Sequence, residues 1–278
     1  LAHEEDINAA LRADLNKSPS ESYMCEIGMT LSELSHIQKH LSHWMKKRRA
    51  PTPLAQFHAK SFTVANPYGV VLIMSPWNYP FMLALDVLAG AIAAGNCAVI
   101  SPSEYAPVTA HVIRSMIRDT FPENYITAAD GGIECNRELL GLNFDYIFFT
   151  GGVTVGKEVM EKAARNLTPV TLELGGKSPC IVDETAYLPV AARRLAFGKC
   201  LNAGQTCVAP DYLLLHESVK DKFLTLLKEE ITSMYGENPL TNPDYPRIIS
   251  RSHYERILRL IRESCVETTP FTGGRGDD

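Results

Sequence analysis

Strand-like and helix-like patterns alternate from Gly69 to Glu173, and this alternation constrains the fold more than any other feature of the chain. Short apolar runs suited to buried strands are separated by segments whose apolar residues recur three and four positions apart. This rhythm is typical of an α/β fold with a doubly wound parallel sheet. We predict strands at 70–74, 97–100, 126–129, 146–149 and 170–173, and helices at 81–94, 108–120, 134–140 and 155–167.

Polar and glycine-rich segments follow three of the predicted strands, at 75–78, 101–104 and 150–153. Ligands of doubly wound sheets bind beyond the carboxyl ends of the strands, where these segments fall. In Thr150-Gly-Gly-Val-Thr-Val-Gly156, glycine lets the backbone approach a phosphate, and the following helix supplies N–H donors. The segment lacks the usual dinucleotide fingerprint, so an ordinary strand-to-helix turn explains it equally well.

The remaining chain predicts a second α/β region. Strands are expected at 180–182 and 212–215, and helices before residue 201, at 219–235 and at 252–263. We therefore divide the chain into residues 1–172, comprising N-terminal helices and a nucleotide-binding domain, and residues 173–278, part of a catalytic domain.

Cys207 is the candidate nucleophile, because it follows the turn-forming stretch Leu201-Asn-Ala-Gly-Gln-Thr206 between a predicted helix and a predicted strand. Asn202, Gly204 and Gln205 suit a turn that leaves backbone N–H groups directed at an anion beside the sulfur. A cysteine taken alone is more often a buried, inert residue. Glu173 lies where an apolar strand breaks at two glycines, and it is the second candidate catalytic residue.

The N-terminal part predicts a helix at 3–16 and one long amphipathic helix at 22–45, packed on its own domain. The basic run Lys46-Lys-Arg-Arg49 is expected at the end of that helix, where it complements the helix dipole. His36, His40 and His43 share a helical face, but no carboxylate or cysteine completes a ligand pattern, so we predict no metal site.

Composition excludes several classes of function. The net charge of −5 argues against nucleic acid as the main partner. Seven cysteines without a Cys-x-x-Cys pair favour a reducing, cytoplasmic compartment over a disulfide framework. No apolar run reaches the length of a membrane-spanning helix, so no membrane insertion is expected. The chain begins with leucine and its second region lacks a closing element, so we expect it to be part of a longer protein.

Several phrases, taken in order, resemble the aldehyde dehydrogenase superfamily, and its class 3 or fatty-aldehyde branch in particular. They are Pro76-Trp-Asn-Tyr-Pro-Phe81, Glu173-Leu-Gly-Gly-Lys177, Gly176-Lys-Ser-Pro-Cys180 and Asn202-Ala-Gly-Gln-Thr-Cys-Val-Ala-Pro-Asp-Tyr212. The resemblance runs from about residue 1 to 274. It implies a Rossmann-like cofactor domain, a small-molecule aldehyde substrate and a homodimer of the complete protein.

The resemblance also implies roles for individual residues. Cys207 attacks the aldehyde, Asn78 and the Cys207 N–H stabilise the oxyanion, and Glu173 is the base for the water that hydrolyses the thioester. Taken alone, Asn78 fits a turn cap and Glu173 fits an ion pair with Lys177. NAD or NADP would be bound by Trp77, Ser101, Glu104, Thr150, Gly151, Gly152, Val153, Thr154, Val155 and Gly156.

Two departures from the family pattern bear on function. Ser101 stands where many members have a ribose-binding lysine, so the affinity for the cofactor and the choice between NAD and NADP both stay open. The Glu-x-Phe-Gly-Pro stretch and the C-terminal hairpin of the family have no counterpart before Asp278. By likeness to class 3, the expected reaction converts a medium or long aliphatic or an aromatic aldehyde to a carboxylate. The alternatives are a truncated protein that only binds nucleotide and an enzyme that transfers the acyl group to coenzyme A.

Overall fold

The computed structural model describes residues 2–264, 273, 274 and 276. Cys265 and most of the polar tail at 272–278 lie outside these described residues. The helices are α1 Glu4–Leu15, α2 Pro19–Ser22, α3 Gly28–Trp44, α4 Met82–Ala93, α5 Pro107–Thr120, α6 Ile133–Leu139, α7 Val153–Ala164, α8 Leu188–Cys200, α9 Lys220–Tyr235 and α10 Arg251–Ser264. The strands are β1 Arg48–Ala50, β2 Ser61–Thr63, β3 Val70–Met74, β4 Cys97–Ser101, β5 Ile126–Ala128, β6 Tyr146–Gly151, β7 Val170–Leu174, β8 Ser178–Val182 and β9 Pro210–Leu215.

The described chain forms two compact units. The first, called here the sheet unit, comprises Tyr23–Glu104 and Thr109–Glu173. The second, called the cysteine unit, comprises the described parts of Leu1–Ser22, Tyr105–Val108 and Leu174–Asp278. The units thus differ from a contiguous division at 172/173, because residues 2–22 pack with the C-terminal half of the chain. The functional division into cofactor and catalytic domains stays a prediction.

The sheet unit is built on five strands in the order β5-β4-β3-β6-β7. β3 pairs in parallel with both β4 and β6, and β4 pairs in parallel with β5. The apolar runs are buried as their composition requires, with Leu72, Ile73 and Ile100 each at most 1% exposed. The chain starts in the middle strand, moves to one edge and returns to the other side, so the predicted doubly wound sheet is confirmed.

The N-terminal part of the sheet unit departs from the sequence prediction. The helix expected at 22–45 is interrupted by a π-helical turn at Tyr23–Ile27. The basic run does not extend that helix, because Arg48 and Arg49 lie in β1, which pairs antiparallel with β2. This hairpin was not predicted. Its strands have three residues each, too few for an alternating pattern to be read.

The cysteine unit contains the parallel pair β8–β9 with α8 and α9 packed beside it. Its core consists of Val182, Leu188, Ala192, Leu195 and Phe223. Phe223 is fully buried, so α9 directs its apolar face inward as its amphipathic pattern predicts. The strand β9 begins three residues after Cys207, which puts the candidate nucleophile in the connection between α8 and β9.

Candidate active site

The sheet unit places two of the predicted site segments at its topological switch point. Strand order reverses between the neighbours β3 and β6, and Met74 is aligned with Phe149 at their carboxyl ends. The segment 75–78 therefore leaves β3 beside the start of Thr150–Gly156. Crevices at such switch points are where doubly wound sheets bind ligands.

Asn78 and Trp77 lie half-buried in the bend between β3 and α4. The end of this bend is fixed by Glu26, which sequence reasoning missed. The fully buried Glu26 carboxylate accepts hydrogen bonds from the backbone N–H groups of Phe81 and Met82, at 3.0 and 2.9 Å. A carboxylate at a helix N-terminus satisfies donors that have no partner within the helix. Glu26 thereby holds the loop that carries Asn78.

The segment Thr150–Gly156 forms the end of β6 and the first turn of α7. Gly152 is the residue before α7, and a Cβ placed there would meet no atom within 4 Å, so the backbone is open on that side. The N–H of Gly156 donates to the Gly152 carbonyl at 2.9 Å and begins the helical bonding. The preceding N–H groups of α7 have no partner within the helix. Open backbone and first-turn donors fit a phosphate-bearing cofactor.

Side chains around this turn differ in their exposure. Val153, Thr154 and Val155 are exposed, and Gly156 is buried against the sheet. Val153 and Val155 are 49% and 45% exposed, which puts apolar surface beside the helix N-terminus. An exposed apolar surface next to anion-binding donors suits a nucleotide, which combines a flat base with charged phosphates.

Ser101 is the last residue of β4 and Glu104 lies three residues beyond it, and their surroundings differ. Ser101 is 2% exposed, and its hydroxyl donates a 2.6 Å hydrogen bond to Asn136. That bond occupies its single proton, so Ser101 has an acceptor but no donor left for a ribose. Glu104 is exposed, and its carboxylate lies 2.8 Å from where a Cβ of Gly132 would be. The roles of both residues in cofactor binding stay predictions.

Glu173 is the exposed next-to-last residue of β7. The expected alternative for it was an ion pair with Lys177. Lys177 instead places its Nζ 3.1 Å from a carboxylate oxygen of Asp211. The Lys177 ammonium therefore has a carboxylate partner other than Glu173, and the role of Glu173 stays a prediction.

Cys207 belongs to the cysteine unit and is exposed in a turn, as expected of a nucleophile and unlike a structural cysteine. The turn before it is unusual, because Asn202, Ala203 and Gly204 have φ values of 52°, 52° and 79°. Cys200, the last residue of α8, differs from Cys207 because it is half-buried. Burial raises the pKa of the Cys200 thiol above its ordinary value, so it stays protonated.

The two glycines that precede β8 have different surroundings. A Cβ on Gly176 would lie 2.9 Å from the backbone oxygen of Cys207, whereas a Cβ on Gly175 would meet nothing within 4 Å. Only Gly176 therefore needs to be glycine for reasons of space. The backbone of Gly176 therefore lies close to the turn that carries Cys207, which accounts for one glycine of the Glu-Leu-Gly-Gly-Lys phrase.

The predicted absence of a metal site concerns α3. The rings of His36 and His40 are tilted against each other with centroids 4.2 Å apart, and both lie against the Trp44 ring. Within the described ranges, no three His, Cys, Asp or Glu side chains are close enough together to hold a metal ion. The six described cysteines are free thiols. In the same part of the chain, no helix is long and apolar enough to cross a membrane.

The glycine-rich turn Thr150–Gly156, the exposed Cys207 and the nearby Gly176 belong to a chain that matches one family model along its whole length. Residues 1–278 match the model of the aldehyde dehydrogenase family. The chain belongs to this family. It is 50% identical over 277 residues to 4,4'-diaponeurosporen-aldehyde dehydrogenase of Staphylococcus aureus, covering 100% of this chain and 60% of that protein. It is 43% identical over 275 residues to aldehyde dehydrogenase family 3 member A2 of Macaca fascicularis, covering 99% and 56%.

Solved structures of aldehyde dehydrogenases share the fold. The substrate-bound state of Staphylococcus aureus AldH superimposes with a TM-score of 0.90 at 51% identity, over 94% of this chain and 57% of that one. The Mycobacterium tuberculosis aldehyde dehydrogenase complexed with NAD+ superimposes with a TM-score of 0.86 at 26% identity, over 100% and 57%. The chain thus spans little more than half the length of the relatives it matches.

Proposed function

We propose that the complete protein oxidises an aldehyde to a carboxylic acid with NAD+ or NADP+, through a covalent intermediate on Cys207. The observation that carries the proposal is the exposed Cys207 at the end of a left-handed turn, in a chain whose whole length matches the aldehyde dehydrogenase family. A nucleophilic cysteine needs access to its substrate and a fixed backbone, and the turn supplies both.

The first step is addition of the Cys207 thiolate to the carbonyl carbon. A carbon–sulfur bond forms, and the π electrons move to the oxygen, which becomes an oxyanion. Asn78 is proposed to donate a hydrogen bond to that oxygen through its amide, together with the Cys207 backbone N–H. The Glu26 contacts on Phe81 and Met82 hold the Asn78 loop in place before substrate arrives.

The segment Thr150–Gly156 is proposed to hold the pyrophosphate of the cofactor. The open backbone at Gly152 and the first-turn donors of α7 fit that group. When bound, NAD+ or NADP+ supplies the hydride acceptor for the oxidation. The known neighbour from Mycobacterium tuberculosis is complexed with NAD+.

The buried Ser101 brings no positive charge to the cofactor, and the exposed Glu104 adds a negative one. A 2′-phosphate needs a cation, whereas a carboxylate accepts a hydrogen bond from a free ribose hydroxyl. These two residues therefore favour NAD over NADP in this chain.

Glu173 is proposed to complete the reaction as general base. After oxidation the acyl group is a thioester on Cys207. The Glu173 carboxylate takes a proton from water, the water oxygen bonds to the acyl carbon, and the carbon–sulfur bond breaks to release the carboxylic acid and the Cys207 thiolate. This role requires access to water, and the exposed end of β7 provides it.

The substrate is proposed to be a large apolar aldehyde. The relative from Staphylococcus aureus and a second from Cytobacillus firmus are named as dehydrogenases of a diaponeurosporen-aldehyde and a diapolycopene-dial. Identities of 50% and 44% along nearly the whole chain support a related substrate class. A cytoplasmic location and a homodimer of the complete protein stay predictions.

Product analysis in the complete protein tests the proposal. We expect a long-chain aldehyde and NAD+ to give the free carboxylic acid in equal amount to NADH, with no dependence on coenzyme A. Cys207→Ala should produce no NADH while cofactor binding is retained. Formation of an acyl-coenzyme A product would indicate the acyl-transferring enzyme instead, and nucleotide binding without turnover in the unaltered protein would indicate a binding protein.

A further inference from the structure

The turn before Cys207 has a backbone conformation that needs external support. Three consecutive residues, Asn202, Ala203 and Gly204, lie in the left-handed region. Glycine adopts this region freely and asparagine tolerates it, but alanine does so at a cost. Such a run persists only where surrounding contacts determine it. The contacts that hold the turn therefore influence where the Cys207 sulfur lies.

A glutamate 181 residues earlier in the chain provides one of these contacts. Glu21 Oε1 accepts a 2.8 Å hydrogen bond from the backbone N–H of Asn202. Glu21 is 8% exposed and Asn202 is fully buried. A short hydrogen bond to a carboxylate is stronger than one between neutral groups, and burial shields it from competing water.

The Gln205 side chain provides a second set of contacts. Its Nε2 donates to the backbone oxygens of Asn202 and Arg247, at 3.0 and 3.1 Å, and its Oε1 accepts from the N–H of Ile249 at 3.0 Å. The Arg247 N–H in turn donates to the Leu15 carbonyl at the end of α1. The turn is thus held by the N-terminal segment both directly, through Glu21, and through the 247–249 stretch.

We propose that Glu21 is a positioning residue for the nucleophile, fixing the 202–204 turn so that Cys207 is held ready to attack the aldehyde. This inference rests on the proposed function of Cys207. Residues 2–22 pack in the same unit as Cys207, in keeping with this contact. The contact that Glu21 makes is with the Asn202 backbone, five residues before Cys207, so its effect is on the geometry of attack.

The test uses Glu21→Ala in the complete protein. We expect the rate constant of the NADH burst, expressed per active site titrated, to fall about 10²-fold, the effect of moving a reacting group by about an ångström. The Kd for NAD+ should stay unchanged. Hydrogen exchange measured by mass spectrometry should accelerate at least tenfold in the peptide 201–207, without a matching change in the helix at 188–200.

Two further variants keep the test decisive. Glu21→Gln retains an oxygen acceptor without the charge, so the burst should recover to within about tenfold of the unaltered protein. Glu21→Asp retains the charge but withdraws it by one methylene, so it should behave like Glu21→Ala, and it replaces that variant if alanine prevents folding.

Phe223→Leu is the matched control for stability, because this fully buried side chain lies in the core of the same unit and makes no contact with the turn among the contacts described. It should lower the melting temperature and leave the burst rate constant per active site unchanged. Normal exchange at 201–207 and a normal burst in both Glu21→Ala and Glu21→Asp would overturn the inference. If Cys207→Ala retains turnover, the proposed function fails, whereas the exchange measurement still decides whether Glu21 holds the turn.

Discussion

Gly176→Ala tests the support of the nucleophile turn by the smallest change the chain allows. A Cβ at this position would lie 2.9 Å from the Cys207 backbone oxygen, whereas ordinary contacts of a Cβ begin at 3.4 Å. Reaching an ordinary contact distance therefore requires a shift of about 0.5 Å. Because the opposing atom is backbone, the shift falls on the peptide of Cys207 and not on a flexible side chain.

The expected effect follows from that displacement. Since about an ångström of misplacement costs about 10²-fold in rate, half an ångström should slow adduct formation about tenfold. Overpacking of this kind also destabilises a fold by about 1–3 kcal/mol. The assay is a rapid-mixing measurement of the NADH burst at saturating cofactor, with the burst amplitude giving the number of competent sites. The burst rate constant should fall while the amplitude stays near that of the unaltered protein.

Gly175→Ala is the matched control, since its Cβ would meet no atom within 4 Å and its φ is not in the left-handed region. Its melting temperature and its rate of Cys207 alkylation by iodoacetamide, measured without cofactor, should equal those of the unaltered protein. Equal melting temperatures, alkylation rates and burst rate constants of the two alanine variants would refute the argument, because the turn at Cys207 would then accommodate a Cβ at no cost.

Three other predictions concern separate parts of the molecule. Asn78→Ala should slow adduct formation by about 10²- to 10³-fold with little change in melting temperature, as measured by the burst and by calorimetry; early melting with a normal burst would mark Asn78 as structural. Gly156→Val should abolish measurable NAD+ binding by calorimetric titration, because a branched side chain does not fit the buried first turn of α7, yet leave Cys207 open to iodoacetamide; unchanged affinity would place the cofactor elsewhere. Burial raises the pKa of Tyr235 and of Cys200 above their ordinary values of 10.0 and 9.0, so the folded state holds both protons more tightly than the unfolded state. The contribution of these two protonated groups to the free energy of unfolding is fully present below pH about 9 and is lost as the pH rises further. Tyr235→Phe should therefore reduce the fall in melting temperature between pH about 8 and about 10.5.

The sheet unit was predictable because its signals are local. Each strand is a short apolar run, each helix repeats every three to four residues, and the turns between them carry glycine or proline. Parallel strands connected by helices leave few topologies, so the sequence placed 75–78, 101–104 and 150–153 beyond the carboxyl ends of the strands, whereas the switch point between β3 and β6 is known only from the strand order of the folded sheet. The turn before Cys207 was also readable, since Asn202, Gly204 and Gln205 are turn residues.

What sequence reasoning missed depends on distant contacts. Glu21 and Glu26 look like ordinary helix-surface glutamates in the sequence, and only the folded chain shows each buried and bonded to backbone N–H groups. The Asn202 contact of Glu21 spans 181 residues, and no local pattern encodes such a pairing. The π-helical turn at Tyr23–Ile27 begins two residues after Glu21 and contains Glu26, and it also has no sequence periodicity of its own.

The most direct test of the proposed reaction is the fate of the acyl group in Glu173→Gln. If Cys207 acts first and Glu173 activates the hydrolytic water, this variant should show an NADH burst of about one equivalent per competent site and then turn over about 10²- to 10⁴-fold more slowly. Mass spectrometry of the quenched variant should find the acyl adduct on the peptide that contains Cys207. Loss of the burst itself, with no adduct on that peptide, would contradict the proposed order of steps and assign Glu173 to activation of the thiol.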